Sequence, residues 1–427
     1  MKKISDLKDS VTSIPLELRL LILCAKYNIT EEQQREIIKL MQRPVNWEVF
    51  YQMVVKNRVY PLVYKNLKKL KTSKLDEQVL TRLEKDYKKN QLWALLLTQE
   101  LFKVMELLKQ RNIKAISIKG PSLAMSIYQE VSLRVSSDLD ILVNPSDIVE
   151  TDRVLMEMGY EKDNIIKHLS LKQTKLLIKT FHHFTYSNPS GIQLELHWRL
   201  SNDYYNVPFE EIWNNKSEIT MFGKNLNVLS EEENLVYLIL HGSKHAWKRL
   251  RWLCDIYEIM KNKALNWDYI LKRSEGLGVL HLLEQTLILL KALFHYQVQL
   301  HPMLSKNDRT IATRLAAMSL PFLSSLDDEP ERYGHPLYKE YKKYMLVWYK
   351  GVDRKLRFLA SHFTPNTDDF QSTKLQDKFF ILYYLLRLVK ILNRCLFACR
   401  KRIVQISYIR KEQMSSKNHT RKSLTKE

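Results

Sequence analysis

Residues Arg134–Val143 read "RVSSDLDILV", and the reading of the fold turns on them. Alternation along an extended chain places Asp138 and Asp140 on one face and Leu139, Ile141 and Val143 on the other. Two carboxylates so close repel each other, and burying either of them unpaired costs several kcal/mol. Such a strand either ends in solvent or shares a cation between its acids.

The neighbouring segments supply the rest of a small sheet. Upstream, "KAISIKG" reads as a strand ending in a turn at Lys119-Gly120, and "PSLAMSIYQE" opens a helix on Pro-Ser. Downstream, "NPSDIVETDRVLMEMGY" reads as a helix with Ser146 or Asp147 as N-cap and Gly159 as its stop. Two strands, "FHHFTYS" and "IQLELHW", flank the hairpin signal "NPSG", and "EITMFGKNLNVL" predicts a second hairpin around Phe222-Gly223-Lys224.

Both flanks are helical. "NWEVFYQMVVKNRVYPLVYKNLKKL" has apolar residues at three- and four-residue intervals, with a break or kink expected at Pro61. "NQLWALLLTQELFKVMELLKQRN" predicts a helix ending at Asn112. After Ser230 the helical pattern returns, with Ser230-Glu231-Glu232-Glu233 as a capping signature. "SLDDEPERYGHP" and "FTPNTDDFQST" read as loops. The last helical stretch carries Arg387, Lys390, Arg394 and Lys401 along one side, and "SSKNHTRKSLTKE" reads as disordered. This predicts an α+β protein: a small mixed sheet embedded in helical N-terminal and C-terminal regions. The expected division is 1–95, 96–230, 231–325 and 326–427.

The 427 residues are 45% apolar and 27% charged, enough for a sizeable core, and glycine is scarce at 9. The net charge of +21 raises nucleic acid as a partner, but residues 371–427 alone hold fourteen Lys/Arg against three Asp/Glu. About half of the excess is therefore concentrated in the tail, which suits an anionic surface, a nucleic acid or an acidic peptide, or a solvated helix. Cys24, Cys254, Cys395 and Cys399 show no disulfide or zinc spacing, which fits a reducing, cytoplasmic setting. No secretory signal is evident, and "LRLLILCA" and "FFILYYLL" are too short to span a bilayer.

The chemistry sits in the mixed segment. Asp138 and Asp140 on one strand, with Glu195 of "QLELHW" on another, form a carboxylate set of the kind that holds Mg²⁺ against substrate phosphates. The strand-to-helix turn at Lys119, Gly120, Pro121 and Ser122 offers backbone N–H groups, though none from Pro121, with a hydroxyl and a lysine for phosphate oxygens.

In this order, "IKGPSLAMSIY", "LRVSSDLDILV", "MGYE", "LELHWRL", "HGSKHAWKRLRWLCDI" and "NWDYIL" resemble the uncharacterised bacterial nucleotidyltransferases of the DNA polymerase β-like superfamily. The resemblance spans about residues 15 to 300. It implies a nucleotidyltransferase core in which Asp138 and Asp140 are metal ligands and Glu195 is a third ligand or a base. It also implies Gly120 and Ser122 at the phosphate turn. Where the superfamily turn reads Gly-Gly or Gly-Ser, this chain has Lys-Gly-Pro-Ser. The implied activity is transfer of a nucleoside monophosphate from an NTP such as ATP, with Mg²⁺ or Mn²⁺, to an acceptor that membership leaves open. Some members accompany peptide natural-product biosynthesis, so a small molecule, a peptide and a protein all stand as acceptors.

Other residues have two readings each. Arg134 contacts phosphate or pairs with Asp138. Lys244, His245, Lys248, Arg249 and Arg251 form a positive helix face toward a nucleotide, or a solvated face whose Trp247 and Trp252 pack inward. Asp255 orients one of these cations or is merely structural. His182, His183 and His197 line a cleft or fill the core, and His241 and His245 have metal spacing without the glutamate of a zinc-protease motif. Two other functions use the same residues. An Asp-x-Asp pair also serves metal-dependent glycosyl transfer from a nucleotide sugar, and a degenerate core would leave a nucleic-acid or membrane-binding protein.

Overall fold

The computed structural model describes residues 14–163, 167, 169–201, 207–296 and 305–393. The "DLDILV" stretch is a strand, β2 (Asp138–Val143), with Leu139–Val143 buried on both faces. It lies inside a mixed sheet with β1 (Ala115–Ser117), β3 (Glu161–Lys162), β4 (His183–Ser187), β5 (Gln193–His197), β6 (Ser217–Met221) and β7 (Lys224–Val228), ordered β3-β4-β5-β2-β1-β7-β6 among the described residues. Strand β2 runs antiparallel to β1 and parallel to β5.

Turn chemistry explains both hairpins. Asn188 Oδ1 accepts the N–H groups of Ser190 and Ile192, closing the β4–β5 turn. Phe222 and Gly223 both have positive φ, the geometry that matches the twist of a two-residue hairpin.

Helices surround the sheet. The break expected at Pro61 lies just ahead of it, and the proline starts the next helix. Helix α3 (Trp47–Lys56) ends at Asn57, Arg58 turns at φ 55°, and α4 (Tyr60–Leu67) begins with the proline in its first turn, where no N–H is needed; α1 (Leu16–Cys24) and α2 (Glu31–Met41) precede them. Helix α5 (Glu77–Gln110) is 34 residues long, is capped by Asp76, and stops where Asn112 turns at φ 57°. It crosses residue 95 without a break. Helices α6 (Gly120–Tyr128), α7 (Ile148–Glu157), α8 (Leu171–Thr180) and α9 (Phe209–Asn214) lie between strands. Asn144 caps a short turn at Pro145–Asp147 ahead of α7, while Asp147 stands at the helix start without a side-chain cap bond.

The stretch after Ser230 is two helices, α10 (Glu231–Lys244) and α11 (Leu250–Asn262). Ala246 and Trp247 adopt positive φ between them, and the Trp247 ring folds back over Gly242, where a Cβ would stand 2.3 Å from the ring. Glycine at 242 is what permits the reversal. Helices α12 (Trp267–Gly276), α13 (Leu280–Phe294), α14 (Lys306–Ser324) and α15 (Tyr338–Trp348) follow.

By compactness the chain divides into two bodies, one of residues 1–163 with 178–351 and one of 164–177 with 352–427. The second contains α16 (Val352–Ser361) and α17 (Thr367–Ser372). The second loop-like stretch is thus partly helical, with an Asn366–Asp369 capping box. Residues 382–393 are helical, and the first two cations of the expected basic stripe turn onto a buried acid: Lys390 Nζ lies 2.9 Å and Arg387 Nη1 3.4 Å from Asp369. Arg394, Lys401, Cys395, Cys399 and the final tail lie outside the described residues. Cys24 and Cys254 are buried free thiols. No helix among the described residues is long and apolar enough to cross a membrane.

One buried cation makes stability depend on pH. Lys56 donates to the carbonyls of Phe322 (2.8 Å), Leu323 (3.4 Å) and Lys248, and burial pushes its ammonium down to about 7. The unfolded chain, with a lysine near 10.4, binds the extra proton between about pH 7 and pH 10, so the folding penalty is full below that window and vanishes above it. Urea unfolding should show stability rising across the window. Lys56→Met should flatten this slope, whatever its effect on absolute stability; equal slopes in both proteins would refute the assignment.

Candidate active site

The register of β2 on β5 sets Asp140 beside Glu195 and Asp138 beside Gln193. Because side chains alternate, Asp138 and Asp140 share a face, and Glu195 and His197 continue it on β5. His183 of β4 is the direct cross-strand partner of His197. A row of chemistry therefore crosses three strands.

The side chains converge. His197 Nε2 lies 3.1 Å from Asp140 Oδ1 and 3.2 Å from Glu195 Oε2. Lys119 Nζ lies 2.8 Å from the same Asp140 oxygen, and His183 Nε2 is 3.7 Å from Glu195 Oε1. One ligand atom each from Asp140, Glu195 and His197 falls within 4.8 Å of the other two; Asp138 stands outside that trio.

Lys119 is delivered by the turn into α6. The Ile118 N–H donates to the Asp140 carbonyl (3.0 Å), docking the loop along β2. Gly120 then turns at φ +70°, with its Cβ position 3.4 Å from the Asp138 carbonyl oxygen. A side chain there would be strained.

Electrostatics separate the acids. Burial pushes the Asp140 carboxyl up, but Lys119 and His197 outweigh it and hold the group well below the usual range. Glu195 is likewise raised by burial and lowered overall by its bond to His197. Burial and the charge of Asp140 together push Asp138 up. His197 is disfavoured as a cation by burial, yet its two carboxylate partners raise it, whereas burial lowers His182 and brings His183 to about 4. Arg58 and Arg251 also bear on Asp138, and Arg58 Nη1 reaches Ser137 Oγ at 3.4 Å.

The structure brings together Lys119, Gly120, Asp138, Asp140 and Glu195. It places the other candidates differently. Ser122 is buried, donating to the Lys119 carbonyl and sharing a 2.7 Å bond with Ser117 Oγ. Arg134 is buried against Asp255 rather than Asp138, and Asp255 thereby has a partner. Arg251 donates to the Val135 carbonyl, and His245 stacks on Trp252 with a ring separation of 5.4 Å. Lys244 is half-buried at the end of α10. Lys248 pairs with Glu331 and Arg249 with Asp328, so that part of the positive face is neutralised. Sequence reasoning left His197 open between cleft and core and passed over Arg58. The "LELHW" alternation put His197 on the face of Glu195, but Arg58 gave no local signal.

Residues 43–295, more than half of the chain, match the family described as uncharacterised nucleotidyltransferase. The chain belongs to that family. The nucleotidyltransferase is thus a transferase with the mixed α/β core expected above. No curated protein matches it. Among solved structures it is similar to the lincosamide antibiotic adenylyltransferase LnuA in its lincomycin-bound form, at 16% identity, 39% coverage of this chain, 97% of that chain and a TM-score of 0.28. It is also similar to an antigenic nucleotidyltransferase-like protein from Paracoccidioides brasiliensis, at 14% identity, 49% and 94% coverage, and a TM-score of 0.30. At these scores neither adds to what the family match shows.

Proposed function

We propose that this nucleotidyltransferase moves a nucleoside monophosphate from an NTP to a hydroxyl or amine acceptor, with Asp138, Asp140 and Glu195 holding a divalent ion, Mg²⁺ or Mn²⁺. The observation that carries the reading is the β2–β5 register, which sets three carboxylates on one face of adjacent strands. The donor set fits a hard cation: oxygen ligands, and mutual repulsion that raises Asp138 and that a dication relieves. Lys119 and His197 both meet Asp140 through Oδ1, which leaves Oδ2 engaged by neither of them. When bound, the ion neutralises charge on the phosphates and favours an ionised acceptor.

The remaining work belongs to the chain. Lys119 fixes Asp140 in its ionised form, and His197 does the same for Glu195. No side chain caps the start of α6, so the N–H groups of its first turn, Pro121 excepted, are suited to receive phosphate oxygens beside Gly120. Arg58 and Arg251 add positive charge near Asp138, where the triphosphate lies. The acceptor attacks the α-phosphorus, a new bond forms there, and the bond to pyrophosphate breaks. Catalysis is positioning and electrostatic stabilisation. The acceptor is a small molecule, a peptide or a protein.

The test is incubation of the purified protein with each α-labelled NTP, ATP first, with a lysate fraction as acceptor source, with and without chelator. Acid-stable label and a nucleotide mass increment that need divalent metal are expected. Transfer of a γ-label, or a hexose increment from a nucleotide sugar, would replace the reading.

A further inference from the structure

We infer that His182, His183 and His197 form a second metal site that takes a borderline transition-metal ion such as Zn²⁺, beside the carboxylate set and chemically distinct from it. One nitrogen from each of the three rings lies within 4.8 Å of the other two. Zinc holds imidazole nitrogens at about 2.0–2.1 Å, so small ring rotations close this set onto one ion. The cluster is built by the sheet: His183 and His197 are direct cross-strand partners, and the His182 carbonyl accepts the Trp198 N–H at 3.0 Å.

A second, independent observation points to a ligand. Nδ1 of His182, of His183 and of His197 is buried without a hydrogen-bond partner. Buried ring nitrogens are normally satisfied, and each orphan costs about 1–3 kcal/mol. Ring packing alone explains the contacts, with His182 and His183 edge-to-face at 4.5 Å, but it satisfies none of these nitrogens. An ion held through Nδ1 of each ring would satisfy all three. His182 and His183 are half-buried and His197 is buried, so the cluster is reached from its His182–His183 side. Three imidazoles prefer zinc, cobalt or nickel to magnesium, which seeks oxygen.

The experiment titrates the metal-stripped full-length protein with Co²⁺. Intense visible d–d bands of a tetrahedral imidazole site are expected, bleached by equimolar Zn²⁺ and unaffected by excess Mg²⁺. His182→Ala removes a ligand without touching the carboxylates and should weaken Co²⁺ binding about 100-fold or more. His183→Gln should act alike, so that misfolding of one variant, read by circular dichroism, leaves the other to decide. Asp138→Asn should keep the bands, which separates this site from nucleotidyl transfer. Absent or only weak octahedral bands, or bands that survive in a folded His182→Ala or His183→Gln protein, would reduce the cluster to ring packing and overturn the proposal.

Discussion

Asp138→Asn should cut metal-dependent label transfer about a hundred- to thousandfold, the cost of removing one preorganised electrostatic group from such a site, while slightly stabilising the metal-free protein. The two effects share a cause. Burial and the neighbouring charge of Asp140 push the Asp138 carboxyl above its ordinary value, so its ionised form opposes folding at neutral pH. Asparagine keeps the shape and removes the charge. Added Mg²⁺ should raise the melting temperature of the wild type, because a ligand that binds only the folded state stabilises it, and should raise that of the variant much less. Asp140→Asn is a poorer probe, because it leaves the Lys119 ammonium buried without its partner, and lost folding would then mimic lost chemistry. A metal-free variant less stable than wild type, or a rate within tenfold of it, would remove Asp138 from the mechanism.

Local pattern carried much of this site. The period of two in "DLDILV" put both aspartates on one face, and the Lys-Gly turn, both hairpins and the Ser230 cap were legible from residue type alone. What was not legible is non-local. Nothing in "QLELHW" states that Glu195 sits opposite Asp140 rather than one pair along, because parallel register is set by the whole sheet. Arg134 stood open between phosphate and Asp138 because its partner in the fold, Asp255, lies 121 residues away. The reversal at Ala246 and Trp247 hides inside an unbroken helical pattern, since the residue that enables it, Gly242, acts through a ring five positions on. Pro61 was visible, but as a breaker rather than a starter, because the turn that ends α3 at Arg58 has no glycine to announce it.

Breaking the Arg134–Asp255 pair should cost about 3–5 kcal/mol of stability, the range for stripping one partner from a buried ion pair. Arg134 Nε lies 2.9 Å from Asp255 Oδ2, Nη1 is 3.1 Å from Ser136 Oγ, and Tyr128 donates to Asp255 Oδ1 at 2.9 Å. The two side chains are 3% and 0% exposed, so water cannot replace either partner. Arg134→Met would leave a buried carboxylate with the Tyr128 hydroxyl and the nearby charge of Arg251 but without its own ion-pair partner. Arg134→Met with Asp255→Leu removes both charges and should recover most of the loss, because the pair itself repays little more than its desolvation. Urea unfolding of the single and double variants measures this directly, and a loss below about 1 kcal/mol for the single variant would show the pair to be solvated. The double variant also decides what Arg134 does. If it only clamps the segment that leads into β2, label transfer should return with stability. If its guanidinium meets the nucleotide, stability returns and KM for the NTP stays raised.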